Sequence, residues 1–313
     1  MPIPSRVTDA SQKFISIAIA EPHAMHSMLA VAACHWRYHL KSYRRRCPSQ
    51  MFHSMKACAG LRHYLETPQR AKIDVDTAMT TSMFLGSLAF ADATEDSEVP
   101  LENRPVPFHW LRNQLNFGSL LGYFQSTAKM ESICLGIFGE ITQETLQLNG
   151  NSPGTDGVPR EWVILFDVEE TSMSKQDRYS SVLCRLCHLL SLNPDNGLAL
   201  LQYMQFLEGL SSPFVLLLNT LDIRALMLLS YWLALLCAKD CWWSRVRSRI
   251  DCWEICKYLE KNGDESLWRY MDFPAVACDY PYTSSSSAGR HLVDRLRQER
   301  SQYMDHYDPI RED

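Results

Sequence analysis

The stretch DIRALMLLSYWLALLCA, residues 222–238, is the most apolar part of the chain and decides its fold class. Its apolar core, residues 225–238, is about 14 residues long, whereas a helix that crosses a membrane needs roughly 20 apolar residues. Asp222 stands where an N-cap is required, directly before the apolar run. We therefore predict a buried core helix and no membrane span.

Helical periodicity continues on both sides of this stretch. Near the N-terminus, apolar residues recur at i, i+3, i+4, i+7 and i+11, namely Met25, Met28, Leu29, Ala32 and Trp36. Further helical patterns cover 52–66, 77–92, 109–124, 129–148, 178–192, 196–207, 213–218 and 242–260. Sustained two-residue alternation is missing, and only 162–168 is apolar enough to form a short strand. The pattern predicts an all-α, multi-helix, bundle-like domain.

Turn-rich and charged segments divide the chain. Residues 1–21 are predicted to be an N-terminal lead-in, and residues 22–280 a helical domain. Within that domain, the loop near 149–160 begins NGNSPGTDGVP, and this turn chemistry is expected to separate two helical halves. The serine run TSSSSAG then opens a flexible, charged tail at 281–313.

Composition limits the classes of function. The chain is 46% hydrophobic and 21% charged, with a net charge of -5, so it lacks the overall basic excess of a DNA-binding domain. The cysteines number 11, an odd count scattered through apolar segments, which favours reduced thiols in the cytosol or nucleus. The first residues, MPIPSRVTDASQKF, do not have the pattern of a secretory signal.

Three ordered segments carry a family resemblance. The first is PHAMHSMLAVAACHW at 22–36, with a proline, a Met-His pair and a Leu-Ala-rich helix that ends in His35. The second is FHWLRNQLNFGSLL at 108–121. The third is a C-terminal block in which SPFV at 212–215 is followed by ALMLLSYWLALL, CWWSRVRSRI and WRYMDFP. In this order they resemble the regulatory domain of fungal zinc-cluster transcription factors, and in particular the sterol-uptake-control branch.

The resemblance implies an all-helical regulatory domain that holds an apolar small molecule, sterol-like or lipid-like. It also implies a nuclear location with shuttling to the cytoplasm, and a protein partner or homodimer is a further possibility. The DNA-binding zinc cluster, which needs six closely spaced thiolates, is absent. The one CxxC, at Cys184 and Cys187, has no later cysteine before Cys237. We expect no direct DNA binding by this chain, which could be a fragment, a shortened product or a free-standing regulator.

Tryptophans and leucines of the C-terminal half are the candidate ligand-binding residues, because aromatic side chains often line apolar sites. They are Leu226, Leu229, Tyr231, Trp232, Trp242, Trp243 and Trp253. Apolar stripes at helical spacing usually face other helices, so a plain core is the alternative that the pattern favours.

Other constellations are assigned to structure. Cys184, Cys187 and His188, and the i, i+4 pairs Cys237/Cys241 and Cys252/Cys256, are interpreted as core residues. The pair His35/His39 has a spacing that can bind zinc, but a structural role is favoured because the sequence suggests no further ligand nearby. No metal or other cofactor is predicted.

The basic run of Lys41, Arg44, Arg45 and Arg46 is either a nuclear-import patch or a set of cations at a helix C-terminus, and the second interpretation is favoured. No catalytic residues are predicted, because the chain has neither a GxSxG elbow nor a glycine-rich phosphate loop.

Three functions remain open. The first is a ligand-sensing regulator of transcription. The second is an auxiliary protein or non-hydrolytic enzyme of fungal secondary metabolism built on the same scaffold. The third is a protein-interaction adaptor without a ligand. The resemblance favours the first.

Overall fold

The all-α fold is confirmed in a computed structural model of the chain, in which the described residues form helices and no strand. The described residues are 3–40, 47–66, 74–93, 99–127, 132, 158–166, 178–192, 199–204, 206–207, 210–239, 241–263, 265–268 and 270–281. The basic run at 41–46, the predicted helix at 129–148 except Ser132, and the tail from 282 onward lie outside this part of the chain.

The helices fall into two compact units. Unit 1 comprises Met1–Ser97 and Phe108–Leu148, and unit 2 comprises Glu98–Pro107 and Asn149–Asp313. In unit 1 the helices are α1 (Ile3–Ala20), α2 (Pro22–His39), α3 (Pro48–Glu66), α4 (Val75–Ala91) and α5 (His109–Thr127). In unit 2 a 3-10 turn at Leu101–Asn103 is followed by α6 (Arg160–Leu165), α7 (Ser180–Ser191), α8 (Ala199–Met204), α9 (Ser212–Asn219), α10 (Ile223–Lys239), α11 (Trp242–Asn262), α12 (Glu265–Trp268) and α13 (Asp272–Cys278).

Unit 1 is held together by the close packing of α2 on α3 and α4. The face of α2 that is buried is made of small and polar residues, namely His23, Ala24, Ser27, Ala30, Cys34 and Arg37. A Cβ atom added to Gly60 of α3 would lie only 2.6 Å from the Cβ of His23. The missing side chain at Gly60 therefore lets the two helices approach each other closely.

This close approach explains why the apolar face of α2 differs from its buried face. The helix itself was predicted from the spacing of Met25, Met28, Leu29, Ala32 and Trp36. In the structure, Leu29 is 39% exposed and Trp36 is 68% exposed. A close contact of this kind favours small side chains, and Ala24, Ser27 and Ala30 lie on the buried face together with His23 and Arg37, whereas the exposed Leu29 and Trp36 lie away from it.

Unit 2 is built around α10, the helix whose sequence predicted a buried core element. Every residue from Ala225 to Ala238 is buried. Helices α7, α8, α9, α11 and α13 all pack against it. Asp222 accepts a hydrogen bond from the backbone N–H of Ala225, at 2.9 Å, as expected of an N-cap.

The segment between α4 and α5 contributes to unit 2 through a buried ion pair. Arg104 Nη1 donates to Asp251 Oδ1 of α11 at 2.7 Å, and both side chains are almost fully buried. The backbone N–H of Leu101 donates to Glu254 Oε2 of the same helix at 3.2 Å. These contacts place residues of this connection in unit 2, although helices of unit 1 flank it in sequence.

Two segments to which the sequence assigned no definite secondary structure are helical. Residues 3–20 of the predicted lead-in form a regular helix, α1, which packs against α2 and α4. The segment that could have formed a short strand is helical over Arg160–Leu165, where Pro159 precedes the first helical residue. An apolar run of this length does not distinguish a strand from a helix, and here the burial of Trp162 is achieved from a helix.

Helix length and composition were also compared with the needs of a membrane span. Within the described ranges, no single helix is long and apolar enough to cross a membrane. The successive helices Ser212–Asn219 and Ile223–Lys239 meet the test only when taken together, and the chain bends by 99° between them.

The contact at Gly60 gives a first testable prediction. We expect Gly60→Ala to lower the free energy of unfolding by about 1–3 kcal/mol, because the new methyl group would overpack the α2–α3 contact. Gly118→Ala in α5 is the matched control, since a Cβ atom there meets nothing within 4 Å, and it should stabilise by up to about 1 kcal/mol through helix propensity. Urea denaturation measures both, and equal effects of the two substitutions would contradict the assignment.

The buried ion pair gives a second prediction. Asp251→Ala should lower the free energy of unfolding by about 3–5 kcal/mol, because it leaves the guanidinium of Arg104 buried without its carboxylate. The exposed pair of Lys261 and Glu102, 3.4 Å apart, is the control, and Lys261→Ala should cost no more than about 1 kcal/mol. Thermal unfolding measures the difference, which would disappear if Arg104 were solvated in the folded chain.

Candidate functional site

A groove in unit 1 is the candidate ligand site. It has a volume of about 580 Å3 and is lined by α3, α4 and α5. Half-buried apolar side chains form its walls, among them Leu61, Leu65, Leu85, Phe117 and Leu120. The side chains of Met51 and Met55, which are 47% and 64% exposed, lie at its open rim. Its size is typical of sites for small molecules, and its lining is mixed, since polar side chains also contribute to it, among them Ser54, Ser82, His109, Asn113 and Asn116.

One part of the groove is polar. Gln50 and Asp92 both line it, and both are buried. Gln50 Nε2 donates to Asp92 Oδ2 at 3.3 Å, and Arg37 Nη2 lies 3.7 Å from Asp92 Oδ1. The carboxylate of Asp92 is thus compensated by a cation and by an amide donor.

The amide oxygen of Gln50 takes no part in these hydrogen bonds. Because a carboxylate can only accept, the amide nitrogen of Gln50 must face Asp92, and Oε1 faces away. Oε1 is buried and has no hydrogen-bond partner. A buried acceptor without a partner costs about 1–3 kcal/mol. Because Oε1 has no surface open to the groove, a ligand can donate to it only after the side chain of Gln50 turns toward the groove.

Sequence reasoning did not find the groove, because its lining comes from three helices whose individual patterns are ordinary. Met51 and Met55 on α3 were the one local signal of the groove in the sequence, because Met side chains are common at adaptable apolar surfaces. The candidate ligand residues of the C-terminal half occupy a different place.

Four of those candidates, Leu226, Leu229, Tyr231 and Trp232, are buried on α10 within unit 2. Trp232 stacks on Phe206 with ring centroids 5.3 Å apart, and its Nε1 donates to the carbonyl of Tyr203 at 2.7 Å. The hydroxyl of Tyr231 donates to the carbonyl of Tyr270. These interactions match the core alternative that the helical spacing favoured.

The other three candidates, Trp242, Trp243 and Trp253, are half-buried on α11. Trp253 packs edge-on against Tyr280, with centroids 5.2 Å apart, and the ammonium of Lys257 lies 5.3 Å from its ring centroid. None of the seven candidates lines the groove of unit 1. A role for them in ligand binding stays a prediction.

The histidine and cysteine groups noted in the sequence have different environments. His35 and His39 are hydrogen-bonded to each other through their Nε2 atoms, 2.8 Å apart, on the exposed side of α2. Cys187 is buried in α7, and burial raises the pKa of its thiol to about 12. Burial disfavours the charged form of His188 as well, and this lowers the pKa of its imidazole.

The structure joins one of the cysteine pairs to a third thiol. Cys252 and Cys256 of α11 meet Cys278, the last residue of α13, and the three Sγ atoms lie within 4.8 Å of one another. Among the described residues, this is the one group of three or more His, Cys, Asp or Glu side chains close enough to share a metal ion. The i, i+4 pair was visible in the sequence, but Cys278 is too distant in sequence for spacing to connect it.

Comparisons with known proteins give no further guide. No protein-family model matches the chain, and neither the curated proteins nor the solved structures contain a match. The resemblance to zinc-cluster regulators therefore remains a prediction from sequence motifs.

Burial of His23 gives a third prediction. Burial lowers the pKa of His23 below its usual 6.5, and the carboxylate of Glu21 opposes this only in part. The unfolded chain therefore takes up this proton at a higher pH than the folded chain, and stability present above pH 6.5 is lost as the pH falls below it. The loss amounts to about 1.4 kcal/mol for each unit by which the pKa is lowered.

We expect His23→Gln to reduce the fall in Tm between pH 7.5 and pH 5.5 relative to the wild-type chain. His63→Gln, at an exposed position of α3, is the control and should leave the pH dependence unchanged. Differential scanning calorimetry at the two pH values measures the slopes. The same slope in the wild type and in His23→Gln would show that this residue does not carry the effect.

Proposed function

We propose that this chain is a ligand-sensing regulatory module of the fungal zinc-cluster kind, and that an apolar small molecule binds in the groove of unit 1. The groove between α3, α4 and α5 is the observation that carries the proposal. A volume of about 580 Å3 falls in the range of roughly 300–1,000 Å3 that small-molecule sites occupy.

The walls of the groove favour a ligand whose body is apolar. Leucines from α3, α4 and α5 contribute to the lining together with Phe117, and all of these side chains except that of the buried Leu88 are only half-buried. A ligand that covered them would remove apolar surface from water, at about 25 cal/mol for each Å2. This gain is available to a rigid, flat or elongated molecule without the entropy cost of ordering a flexible one.

The polar part of the groove, at Gln50 and Asp92, favours a ligand that carries a hydrogen-bond donor. Gln50 Oε1 is a buried acceptor without a partner, whereas Asp92 already has Gln50 Nε2 and Arg37 beside it. A single hydroxyl on an otherwise apolar molecule complements this pattern, and a sterol alcohol is the ligand class that combines both features. The resemblance to the sterol-uptake-control branch supports the same class.

Regulation of transcription is the part of the proposal that the family resemblance supports. These 313 residues carry a net charge of -5 and no six-cysteine cluster, so we propose that they do not read DNA themselves and that they act through a protein partner. An acidic chain gains little from contact with phosphates. We propose that ligand binding, and not catalysis, is its biochemical activity.

The fourth prediction concerns sterol binding and a substitution that fills the groove. Ergosterol should raise the Tm of the wild-type chain, because a ligand that binds only the folded state stabilises it. Ala89→Phe places a ring in the groove and should abolish the shift. Ala59→Phe, at an exposed position of α3 outside the lining, is the matched control and should retain it. Circular dichroism confirms that each variant is folded.

A ligand without a hydroxyl group tests whether the proposed hydrogen bond to Gln50 contributes to binding. Ergosteryl acetate has no hydroxyl to donate to Gln50, so it should bind roughly tenfold more weakly than ergosterol, the equivalent of about one hydrogen bond. Direct binding of a fluorescent sterol, competed by each compound, measures the ratio. If ergosterol shifts the Tm of Ala89→Phe and of the wild type equally, the ligand does not bind in this groove.

A further inference from the structure

The thiol cluster of unit 2, formed by Cys252, Cys256 and Cys278, is separate in sequence and structure from the groove. The first two cysteines are fully buried and Cys278 is 3% exposed. Buried cysteines are common as small apolar residues. Convergence of three sulfur atoms from two helices is a more specific arrangement, because it places the potential donor atoms around one point.

The spacing of the sulfur atoms suits a metal ion. In a tetrahedral zinc site each Zn–S bond is about 2.3 Å, so neighbouring sulfur atoms lie about 3.8 Å apart. The three Sγ atoms already lie within 4.8 Å of one another. Small rotations of the side chains would close the remaining difference without moving α11 or α13. Cys252 and Cys256 stand at i and i+4, so they present both sulfur atoms from one face of α11.

A fourth thiol, that of Cys237 near the end of α10, interacts with one of the three, Cys252. The thiol of Cys237 donates to the hydroxyl of Ser248, with an Sγ–Oγ distance of 3.5 Å, and that hydroxyl donates to the carbonyl of Ser244 at 2.8 Å. The four cysteines come from three helices, α10, α11 and α13. A metal ion bound by all four would therefore link these helices.

The backbone around Cys278 closes the end of α13. The thiol of Cys278 donates to the carbonyl of Ala275 at 3.7 Å, and the amide of Tyr280 donates to the same carbonyl at 2.9 Å. Asp279, which follows, is in the left-handed conformation at φ 59° and ends α13. This turn directs the amide of Tyr280 back toward the helix end.

We propose that Cys252, Cys256 and Cys278 form a structural zinc site, and that the side chain of Cys237 turns in from α10 to supply the fourth ligand, so that the metal joins α10, α11 and α13. Sulfur ligands alone, in a site closed to water, are typical of structural and not catalytic zinc. The metal would stabilise the C-terminal part of unit 2, because a bound ion adds its binding free energy to folding. The site is independent of ligand binding in unit 1.

The test begins with the full chain, purified under reducing conditions and without a polyhistidine tag, which would itself bind zinc. Inductively coupled plasma mass spectrometry should find about one zinc ion per chain. Cys252→Ser, Cys256→Ser and Cys278→Ser should each lose most of it. Cys187→Ser removes a buried cysteine of the same unit outside the cluster and should retain it. Circular dichroism identifies any variant that fails to fold.

A second measurement uses the wild-type chain only, so it does not depend on the folding of variants. Removal of zinc with a chelator should lower the Tm by several degrees, and added zinc should restore it. Cobalt added to the reduced, metal-free chain should produce the intense near-ultraviolet absorption of thiolate-to-cobalt charge transfer. Folded wild-type chain with less than a tenth of a zinc ion per molecule and no such absorption would overturn the proposal, and the four cysteines would then be core residues.

Discussion

The ion pair between Arg104 and Asp251 is the interaction on which the architecture of unit 2 depends. Taking both charges out of water is costly, and the cost is offset only because the two groups are 2.7 Å apart and further hydrogen-bonded. Arg104 Nε also donates to the carbonyl of Val99 at 3.1 Å, which fixes the bend of its own segment. A hydrophobic contact would have allowed this segment to slide along α11, whereas a directional charge pair fixes its position. The pair therefore contributes specificity more than net stability.

The same helix, α11, carries the other polar groups that matter in unit 2. Asp251 and Cys252 are adjacent in sequence and both are fully buried. On a helix, adjacent residues point about 100° apart, so α11 presents a carboxylate in one direction and a thiol in another. The carboxylate pairs with Arg104 and the thiol faces Cys278. α10 contributes the apolar body of the core and α11 the polar contacts within it, which is why a mean hydropathy pattern locates the first helix easily and says little about the second.

Sequence patterns predicted the helices much better than they predicted which surfaces those helices bury. The spacing of Met25, Leu29 and Trp36 correctly indicated a helix, because periodicity reports an apolar stripe. It could not report that Gly60 lets α3 approach the opposite, small-residue side, since that contact depends on two helices at once. The groove was missed for the same reason. Residues 225–238, by contrast, are apolar on nearly all sides, so no choice of face arises and the prediction of burial is confirmed.

The candidate sites and the aromatic core of unit 2 differ in how their polar atoms are paired. Trp232 and Tyr231 have their polar atoms paired with backbone carbonyls, as buried polar groups usually are. Gln50 Oε1 has no partner. The thiols of the cluster do have partners, since Cys252 and Cys278 are hydrogen-bonded to backbone carbonyls. Convergence of three sulfur atoms on one point, and not a lack of partners, is therefore the ground for the metal site that we propose in unit 2.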